Sequence, residues 1–441
     1  MADDRQGVID ALTKQLAATP KVSRPYEHAT IAYRLGLAHA ETAGANPTEG
    51  LRKALAFYDV AAGIFDPRFD PVHHARVLNA AGAAHRSMGN RQKAAELWDK
   101  AAGLLEAEGT DNERAAVYNN LGLARTEMGD AAAAVEAFDK AVELFDTTEA
   151  EGRRGQLAAL HNRSQAHSSM GTDEGLELAL ADLEEARSSL DMEEAPLHHA
   201  MIEHSVGVTC SALATARPDD RRSFYTEAVR AFDEALRVFT RSEFPFQHAL
   251  TKHNLGLAYA GLEGTPNLRR ALAAFEDSVA VLDPRLQADA WRQVYASLER
   301  VEKQLSEVAP GLTRTEHFAA LVAAVSDDER EALVKERLLR YLVLPETQLL
   351  TVLAELALAV AKLGHEQAYP VLETELLVVM EQPKEIHALA LQAIFQAHRS
   401  IDDEEVRAEA DQALDQAIGG LGGVQRIHVR DYLYSIGWER P

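Results

Sequence analysis

The sequence predicts an all-α protein in which repeated helix pairs are followed by a further helical region. Three observations support this fold class. Only 6% of the 441 residues are aromatic, and alanine and leucine dominate, whereas strands favour β-branched and aromatic residues. Two short motifs alternate, and the first of them recurs every 40–49 residues, which is typical of a repeat architecture. After the last repeat, apolar residues continue at helical spacing.

The first motif is a helical stretch with a small residue near its centre. The third of its six copies, YNNLGLARTEMG, shows it most clearly. A glycine inside a helix costs about 1 kcal/mol relative to alanine, so its recurrence indicates close packing against another helix. The six central residues are Gly36, Gly82, Gly122, Ser164, Gly207 and Gly256.

The second motif has an alanine, a large residue four positions later, and a small residue three positions after that. Burial of a large ring stabilises a fold by about 2–3 kcal/mol, which offsets the cost of the glycine. We therefore expect each large side chain to fill the space beside the small residue of its own unit. The large residues are Tyr58, Trp98, Phe138, Leu183, Phe232 and Phe275.

These alternating motifs resemble the tetratricopeptide repeat (TPR) family, in which antiparallel helix pairs stack into a solenoid. The third unit fits best, with Tyr118, Gly122 and Phe138 all in register. The resemblance implies a TPR-like α-solenoid of about six helix pairs over residues 26–284. The stretch TRSEFPFQHALTKHNLGLAYAGL is also similar to repeats in bacterial signalling and adaptor proteins, which implies a role in protein binding.

Amphipathic helices are predicted on both sides of the repeat array. Residues 1–25 are expected to form an N-terminal capping helix, and residues 285–308 a second one with a charged outer face, as the end of a solenoid requires. The apolar residues of the first cap are Val8, Leu12 and Leu16, and those of the second are Ala290, Val294, Leu298, Val301 and Leu305. An extra loop is predicted at 42–50.

Residues 309–441 are predicted to form a separate, acidic, helical domain. Its most apolar stretch, 349–364, is shorter than the roughly 20 residues that span a bilayer, so it is expected to be a buried core helix. Both a HEAT-like stack and a compact bundle fit the pattern, and a homodimer through this domain is a further hypothesis. The predicted helices lie near 315–325, 327–342, 346–363, 366–381, 384–399, 403–418 and 421–436.

Charge and cysteine content indicate which classes of partner and which cellular compartment to expect. The net charge is −24, from 45 basic and 69 acidic residues, and it disfavours binding to nucleic acid or an anionic membrane. We therefore expect a protein or peptide partner, with no nucleic acid and no membrane. The single cysteine, Cys210, suits a reducing compartment, and the N-terminus lacks the order of a signal peptide. A cytoplasmic location follows as an expectation.

Seventeen histidines raise the question of a metal site. The adjacent pairs, such as His73 and His74, point about 100° apart on a helix, whereas helical zinc ligands are spaced i, i+4. No HExxH, CxxC, GxSxG, Walker A or GxGxxG motif occurs, so no catalytic residue, metal site or cofactor is expected. Histidines that recur just before the first helices are instead expected to cap or pack the helix starts. They are His28, His74, His199 and His248.

Candidate binding residues follow from the TPR resemblance, because the first helix of each TPR pair lines the concave groove in which ligands bind. Asparagine amides satisfy peptide groups, and arginine clamps carboxylates. The predicted groove residues are Tyr33, Arg34, Arg76, Asn79, Arg86, Asn119, Asn120, His161, Asn162, His204, His253 and Asn254. The apolar walls of this groove are predicted to be Leu37, Leu123, Val208 and Leu257.

Three hypotheses for the function follow from these features. The first is a non-enzymatic scaffold or adaptor that holds a protein or peptide segment in the groove and regulates a separately encoded effector. The second is a sensor in which a bound peptide or small ligand changes the curvature of the solenoid. The third, which no motif supports, is an enzyme with an active site assembled across the superhelix.

Overall fold

The computed structural model describes residues 2–41, 47–190 and 195–439. All regular secondary structure in these ranges is helical, as predicted. None of the helices in the described ranges has the length and apolar character to cross a membrane. The internal contacts divide the chain into two units, Met1–Ala216 and Arg217–Pro441, and each is described by itself.

Among its described residues, the first unit contains a leading helix, four helix pairs and the first helix of a fifth pair. The leading helix is α1 and the pairs are α2/α3, α4/α5, α6/α7 and α8/α9. The helices are α1 (Ala2–Ala18), α2 (Pro25–Glu41), α3 (Pro47–Ala62), α4 (Pro71–Ser87), α5 (Arg91–Leu105), α6 (Asp111–Glu127), α7 (Ala131–Leu144), α8 (Ala150–Ser169), α9 (Asp173–Ser188) and α10 (Pro196–Ala216).

The second unit opens with a short 3₁₀ turn at Pro218–Asp220 and then continues with α-helices alone in the described residues. Its helices are α11 (Arg221–Leu236), α12 (Pro245–Gly261), α13 (Thr265–Val281), α14 (Ala288–Val308), α15 (Arg314–Val322), α16 (Asp327–Tyr341), α17 (Glu346–Ala361), α18 (His365–Met380), α19 (Lys384–Arg399), α20 (Glu404–Gly420) and α21 (Gly423–Ser435).

Glycine and a ring meet inside the helix pairs, as the motifs predict. A β-carbon added to Gly122 on α6 would lie 2.5 Å from the ring of Phe138 on α7. In the second unit, a β-carbon on Gly256 would lie 2.5 Å from the ring of Phe275. Both rings are fully buried, so the two helices of a pair approach each other where the glycine side chain is missing.

The fourth pair, α8/α9, lacks both the glycine and the ring, and polar contacts take their place. Arg163 and His167 on α8 both contact the buried Asp182 on α9. The Arg163 Nη2–Asp182 Oδ1 distance is 2.6 Å, and the His167 Nδ1–Asp182 Oδ2 distance is 2.9 Å. Ser164 turns its hydroxyl to the carbonyl of His161, 2.7 Å away, and Leu183 fills the remaining apolar space.

Three of the recurrent histidines lie in the first turn of a first helix and join that helix start to the residues that follow the preceding helix. The Nδ1 atom lies 2.7 Å from the carbonyl oxygen of Thr19 in His28, 2.6 Å from that of Phe65 in His74, and 2.9 Å from that of Phe239 in His248. Each bond spans nine residues. The prediction that these three histidines cap or pack the helix starts is confirmed.

Helices form at both places where capping helices are predicted, α1 and α14, while their capping role stays a prediction. On α1, Ile9 and Leu12 are buried, but Val8 is 48% exposed, so the prediction for Val8 was wrong. The contact face runs through residues 9, 12 and 16 and packs on Leu35. On α14, Val294, Leu298, Val301 and Leu305 are buried as predicted. In the loop predicted at 42–50, residues 42–46 lie outside the described residues, and α3 already begins at Pro47.

The seven helices predicted after residue 309 correspond to α15–α21, with ends that differ by a few residues. Helices α15, α17, α19 and α21 pack in turn against one another, and α16, α18 and α20 form a second row. This two-row arrangement fits a stack of helix pairs, one of the two predicted alternatives. Leu349, Leu353, Leu356 and Val360 make α17 a core helix, as expected.

Helices α15 and α16 also contact α13, inside the second unit. The last helix pair of the repeat array and the helices that follow it therefore share one set of internal contacts. The domain boundaries drawn from the sequence near residues 25, 284 and 308 remain predictions.

Candidate functional site

Several predicted groove residues form hydrogen bonds between successive first helices. The Asn120 Nδ2 donates to Asn79 Oδ1 over 2.9 Å, and the Asn162 Nδ2 donates to Asn119 Oδ1 over 2.9 Å. In both pairs, the residue three positions before one central small residue meets the residue two positions before the next. We call these inter-repeat contacts polar rungs.

Histidine and serine form the same kind of rung. The His161 Nε2 atom lies 2.8 Å from Ser205 Oγ in the first unit, and the His253 Nε2 atom lies 3.2 Å from Ser297 Oγ in the second. Burial lowers the pKa of both histidines, so their rings are neutral at pH 7. The sequence reasoning missed both serines, because serine at this place becomes informative only when its partner is known.

The remaining predicted histidine and amide are partly enclosed. His204 is half-buried, and burial, followed by the charge of His161, lowers the pKa of His204 to about 4. Asn254 is half-buried on α12. A neutral ring at His204 supplies a hydrogen-bonding group without a charge.

Two of the predicted arginines are held by carboxylates of the neighbouring repeat. The Arg76 Nε donates to Glu113 Oε1 over 2.6 Å, and the Arg86 Nε donates to Glu127 Oε1 over 2.8 Å. Arg34 is exposed. These pairs show that Arg76 and Arg86 already have anionic partners within the chain.

Tyr33 belongs to the packing of the first helix pair rather than to an open wall. Its ring lies 6.0 Å from the ring of Tyr58, and burial raises the pKa of its hydroxyl. The side chain is half-buried. Tyr33 therefore contributes chiefly to the contact between α2 and α3.

The predicted apolar wall residues differ from these polar residues because most of them face solvent. Leu37, Val208 and Leu257 are 37%, 43% and 38% exposed, and Leu123 is half-buried. Each directly follows the central glycine of its helix. Three of the four predicted wall residues thus expose an apolar side chain at the same place in their repeats.

A charged pocket in the second unit was not predicted from the sequence. It has a volume of about 380 Å³ and lies among α11, α12, α13 and α16. Lys252 Nζ lies 2.6 Å from Glu336 Oε2, and Arg270 contacts Glu329 through two bonds of 2.7 and 3.1 Å. Since acidic residues number 69 in this chain, the sequence could not single out the four carboxylates that meet here.

A metal site requires several histidine, cysteine or carboxylate side chains that converge on one point. Across residues 2–41, 47–190 and 195–439, no group of three or more His, Cys, Asp or Glu side chains is arranged to hold a metal ion. His387 and His428 do approach each other, with 3.4 Å between Nδ1 and Nε2, and His387 Nε2 lies 2.7 Å from the carbonyl oxygen of Gln382.

Sequence comparison identifies the central repeats. The stretch from residue 73 to residue 147 matches the sequence profile of the tetratricopeptide repeat, and it spans α4–α7, including the contact of Gly122 with Phe138. Residues 73–147 are tetratricopeptide repeats. No curated protein sequence matches this TPR-containing chain.

Comparison with solved structures gives matches of low sequence identity. One is a Signal Transduction ATPase with Numerous Domains (STAND) protein with a tetratricopeptide repeat sensor from Pyrococcus horikoshii. It is 13% identical, with a TM-score of 0.33, and the match covers 89% of this chain and 56% of that one. The present chain thus spans little more than half the length of that protein.

Two further matches have still lower scores. Yeast Tom70 is 12% identical, with a TM-score of 0.23 and coverage of 93% of this chain and 95% of that one. A circular tandem repeat protein with novel repeat topology is 13% identical, with a TM-score of 0.23 and coverage of 99% and 92%. Similarity at this level carries no information about ligands or partners.

Proposed function

We propose that this protein is a non-enzymatic interaction scaffold that holds an extended protein or peptide segment along the first helices of its TPR array. The observation that carries the proposal is the exposure of Leu37 and Val208 at the same place in their repeats. A single exposed leucine on a protein surface needs no explanation. Leu37 and Val208 each directly follow the central glycine of their helix, so we expect both to present apolar surface to the same partner.

The polar rungs provide the second half of a peptide site. An asparagine amide has two donor hydrogens and two acceptor positions, and a rung uses one of these on each amide. Asn119 and Asn120 therefore keep hydrogen-bonding capacity while their orientation is held by Asn162 and Asn79. Apolar contacts then supply affinity, and oriented amides supply direction along the bound chain.

The test introduces charge on the apolar residues and leaves the rungs intact. Leu37→Asp/Val208→Asp should reduce capture of specific partners from native lysate at least tenfold, because a carboxylate cannot be desolvated against an apolar partner. Affinity capture with quantitative mass spectrometry measures the change. The matched control is Leu178→Asp/Leu197→Asp. It alters two leucines of similar exposure, 44% and 41%, neither of which directly follows a central glycine.

Circular dichroism first establishes that both double variants are folded. Partners that bind the wild type and the control but are lost from Leu37→Asp/Val208→Asp support the scaffold. Equal capture by all three proteins contradicts it. A thermal-shift response to a small molecule in the absence of any protein partner would favour the sensor hypothesis instead.

A further inference from the structure

The charged pocket of the second unit has more negative than positive groups in its wall. Its lining includes the carboxylates of Asp233, Asp277, Glu329 and Glu336 but only two cationic side chains, those of Lys252 and Arg270. Asp277 also lies 3.5 Å from Arg340, which stands outside the lining, so four carboxylates and three cations leave an excess of one negative charge. A pocket with this balance suits a positively charged occupant.

Both cations of the lining are committed to carboxylates already. Lys252, whose side chain is 12% exposed, lies 2.6 Å from Glu336 and 3.7 Å from Asp277. Burial alone lowers the pKa of Lys252, but the charges of Glu336 and Asp277 outweigh that effect and raise it. Arg270 donates hydrogen bonds from Nε and Nη2 to the carboxylate of Glu329. Neither cation is therefore available to neutralise a further carboxylate.

Asp233 on α11 is the carboxylate left over. Within the described residues, no hydrogen bond or ion pair engages its side chain, and its charged neighbours, Lys252, Glu329 and Glu336, act on it at longer range. Asp233 lies at the rim, exposed on one side and desolvated by the pocket wall on the other. This desolvation raises the pKa of Asp233 to about 6. The group thus lacks a counter-charge at neutral pH.

The rest of the lining is apolar or aromatic. Leu255, Ala273 and Leu333 contribute aliphatic surface, and Tyr259 contributes a ring. The guanidinium carbon of Arg270 lies 5.9 Å from the centre of that ring, so the ring already accommodates a cation. A wall that combines carboxylates, aliphatic carbon and a ring matches a charged head on an aliphatic stem. Small hard metal ions instead need several converging oxygens without cations among them.

We propose that this pocket binds an organic cation, a guanidinium or primary ammonium group on an aliphatic stem, with Asp233 as its ion-pair partner. The volume of about 380 Å³ falls within the range of small-ligand sites, roughly 300–1,000 Å³. This site shares no residue with the exposed apolar pair Leu37 and Val208, and its occupancy does not depend on the scaffold function proposed above. The cation has two sources, a free small amine or the arginine or lysine side chain of a protein.

Isothermal titration of the full chain with agmatine tests the site, at 0.15 M salt to screen surface binding. The wild type is expected to bind one agmatine, and Asp233→Asn to bind it at least tenfold more weakly. Glu243→Gln is the matched control, because it removes the same charge from another exposed acid of the second unit and should change the affinity less than twofold. Lowering the pH from 7 to 5 should also weaken wild-type binding as Asp233 becomes protonated.

A second titration separates the two sources. N-acetyl-arginine methylamide carries the arginine side chain without free termini, so binding comparable to that of agmatine identifies a protein side chain as a fitting occupant. Binding of agmatine alone identifies a free amine. The proposal is overturned if the wild type binds neither probe, or if Asp233→Asn binds them as well as the wild type.

Discussion

At the scale of single residues, the contact of Gly122 with Phe138 shows how the repeat is held together. The missing side chain lets the ring lie where a β-carbon would stand, 2.5 Å away. Gly103, on α5, is the opposite case, because no other group lies within 4 Å of the place of its β-carbon. The two glycines therefore have opposite expected responses to the same substitution.

Gly122→Ala should lower the free energy of unfolding by roughly 1–2 kcal/mol, because overpacking against Phe138 outweighs the gain in helix propensity. Gly103→Ala should raise it by up to about 1 kcal/mol, since only the propensity term applies. Urea unfolding followed by circular dichroism measures both. A Gly122→Ala protein as stable as Gly103→Ala would contradict the packing role of this glycine.

Glu375 on α18 is a buried carboxyl in an apolar environment. Its Oε1 atom has no hydrogen-bond partner, and it faces a small cavity lined by residues such as Leu338, Leu353 and Ile394. Burial raises the pKa of Glu375 to about 8. The folded state therefore holds a proton that the unfolded chain releases near its ordinary pKa of 4.5.

The sign of the pH dependence follows from this difference. Between about pH 4.5 and 8 the folded state binds more protons at Glu375 than the unfolded state, so stability falls as the pH rises through this range. Glu375→Met should stabilise the protein by about 1–3 kcal/mol near pH 5, and by more at pH 8. Thermal unfolding at both values checks this, and an advantage that does not grow with pH would be inconsistent with a raised pKa.

At the scale of helices, the polar rungs give several of the predicted groove asparagines and histidines a partner within the chain. These residues were predicted as ligand contacts, yet Asn79, Asn119 and His161 bond to the next first helix. The partners lie 41–44 residues away along the chain. Polarity and spacing place such residues on one face of a helix, but they do not show whether a ligand or the next repeat satisfies them.

Helix α16 is joined to α13 by buried charge. Arg337 Nη2 lies 2.6 Å from Glu276 Oε2, and its guanidinium lies 3.8 Å above the ring of Phe318. Both charged side chains are almost fully buried, at 4% and 10% exposure. Removal of Arg337 would leave the buried Glu276 with only the more distant Arg340, 3.8 Å away, to compensate its charge.

Arg337→Ala should therefore lower the free energy of unfolding by about 3–5 kcal/mol. The control is Arg292→Ala, which removes an exposed arginine 2.7 Å from Asp289 and should change stability little, because water already solvates that pair. Chemical unfolding of the two variants gives the comparison. Equal effects would mean that the Arg337–Glu276 pair contributes no more than a surface contact.

At the scale of the whole molecule, the chain uses two ways of packing helices. In the repeats, alanine and glycine allow the two helices of a pair to approach closely, as in α6/α7. After residue 309, leucine and valine fill the interior, and helices contact mainly the second helix along the chain. The cytoplasmic location, the homodimer through residues 309–441 and the lack of nucleic-acid and membrane partners stay predictions.

Periodicity and the small and large residues of one repeat were enough to predict the helices and the glycine–ring contact in pairs such as α6/α7 and α12/α13. The predicted contact of Gly256 with Phe275, 19 residues apart, is of this kind. The polar contacts between successive repeats became apparent from the tertiary structure alone. Lys252 and Glu336 are 84 residues apart, and each has many possible partners in a chain of 45 basic and 69 acidic residues. Their pairing depends on where α16 lies relative to α12. Charged residues do not recur at a regular spacing that would predict this contact.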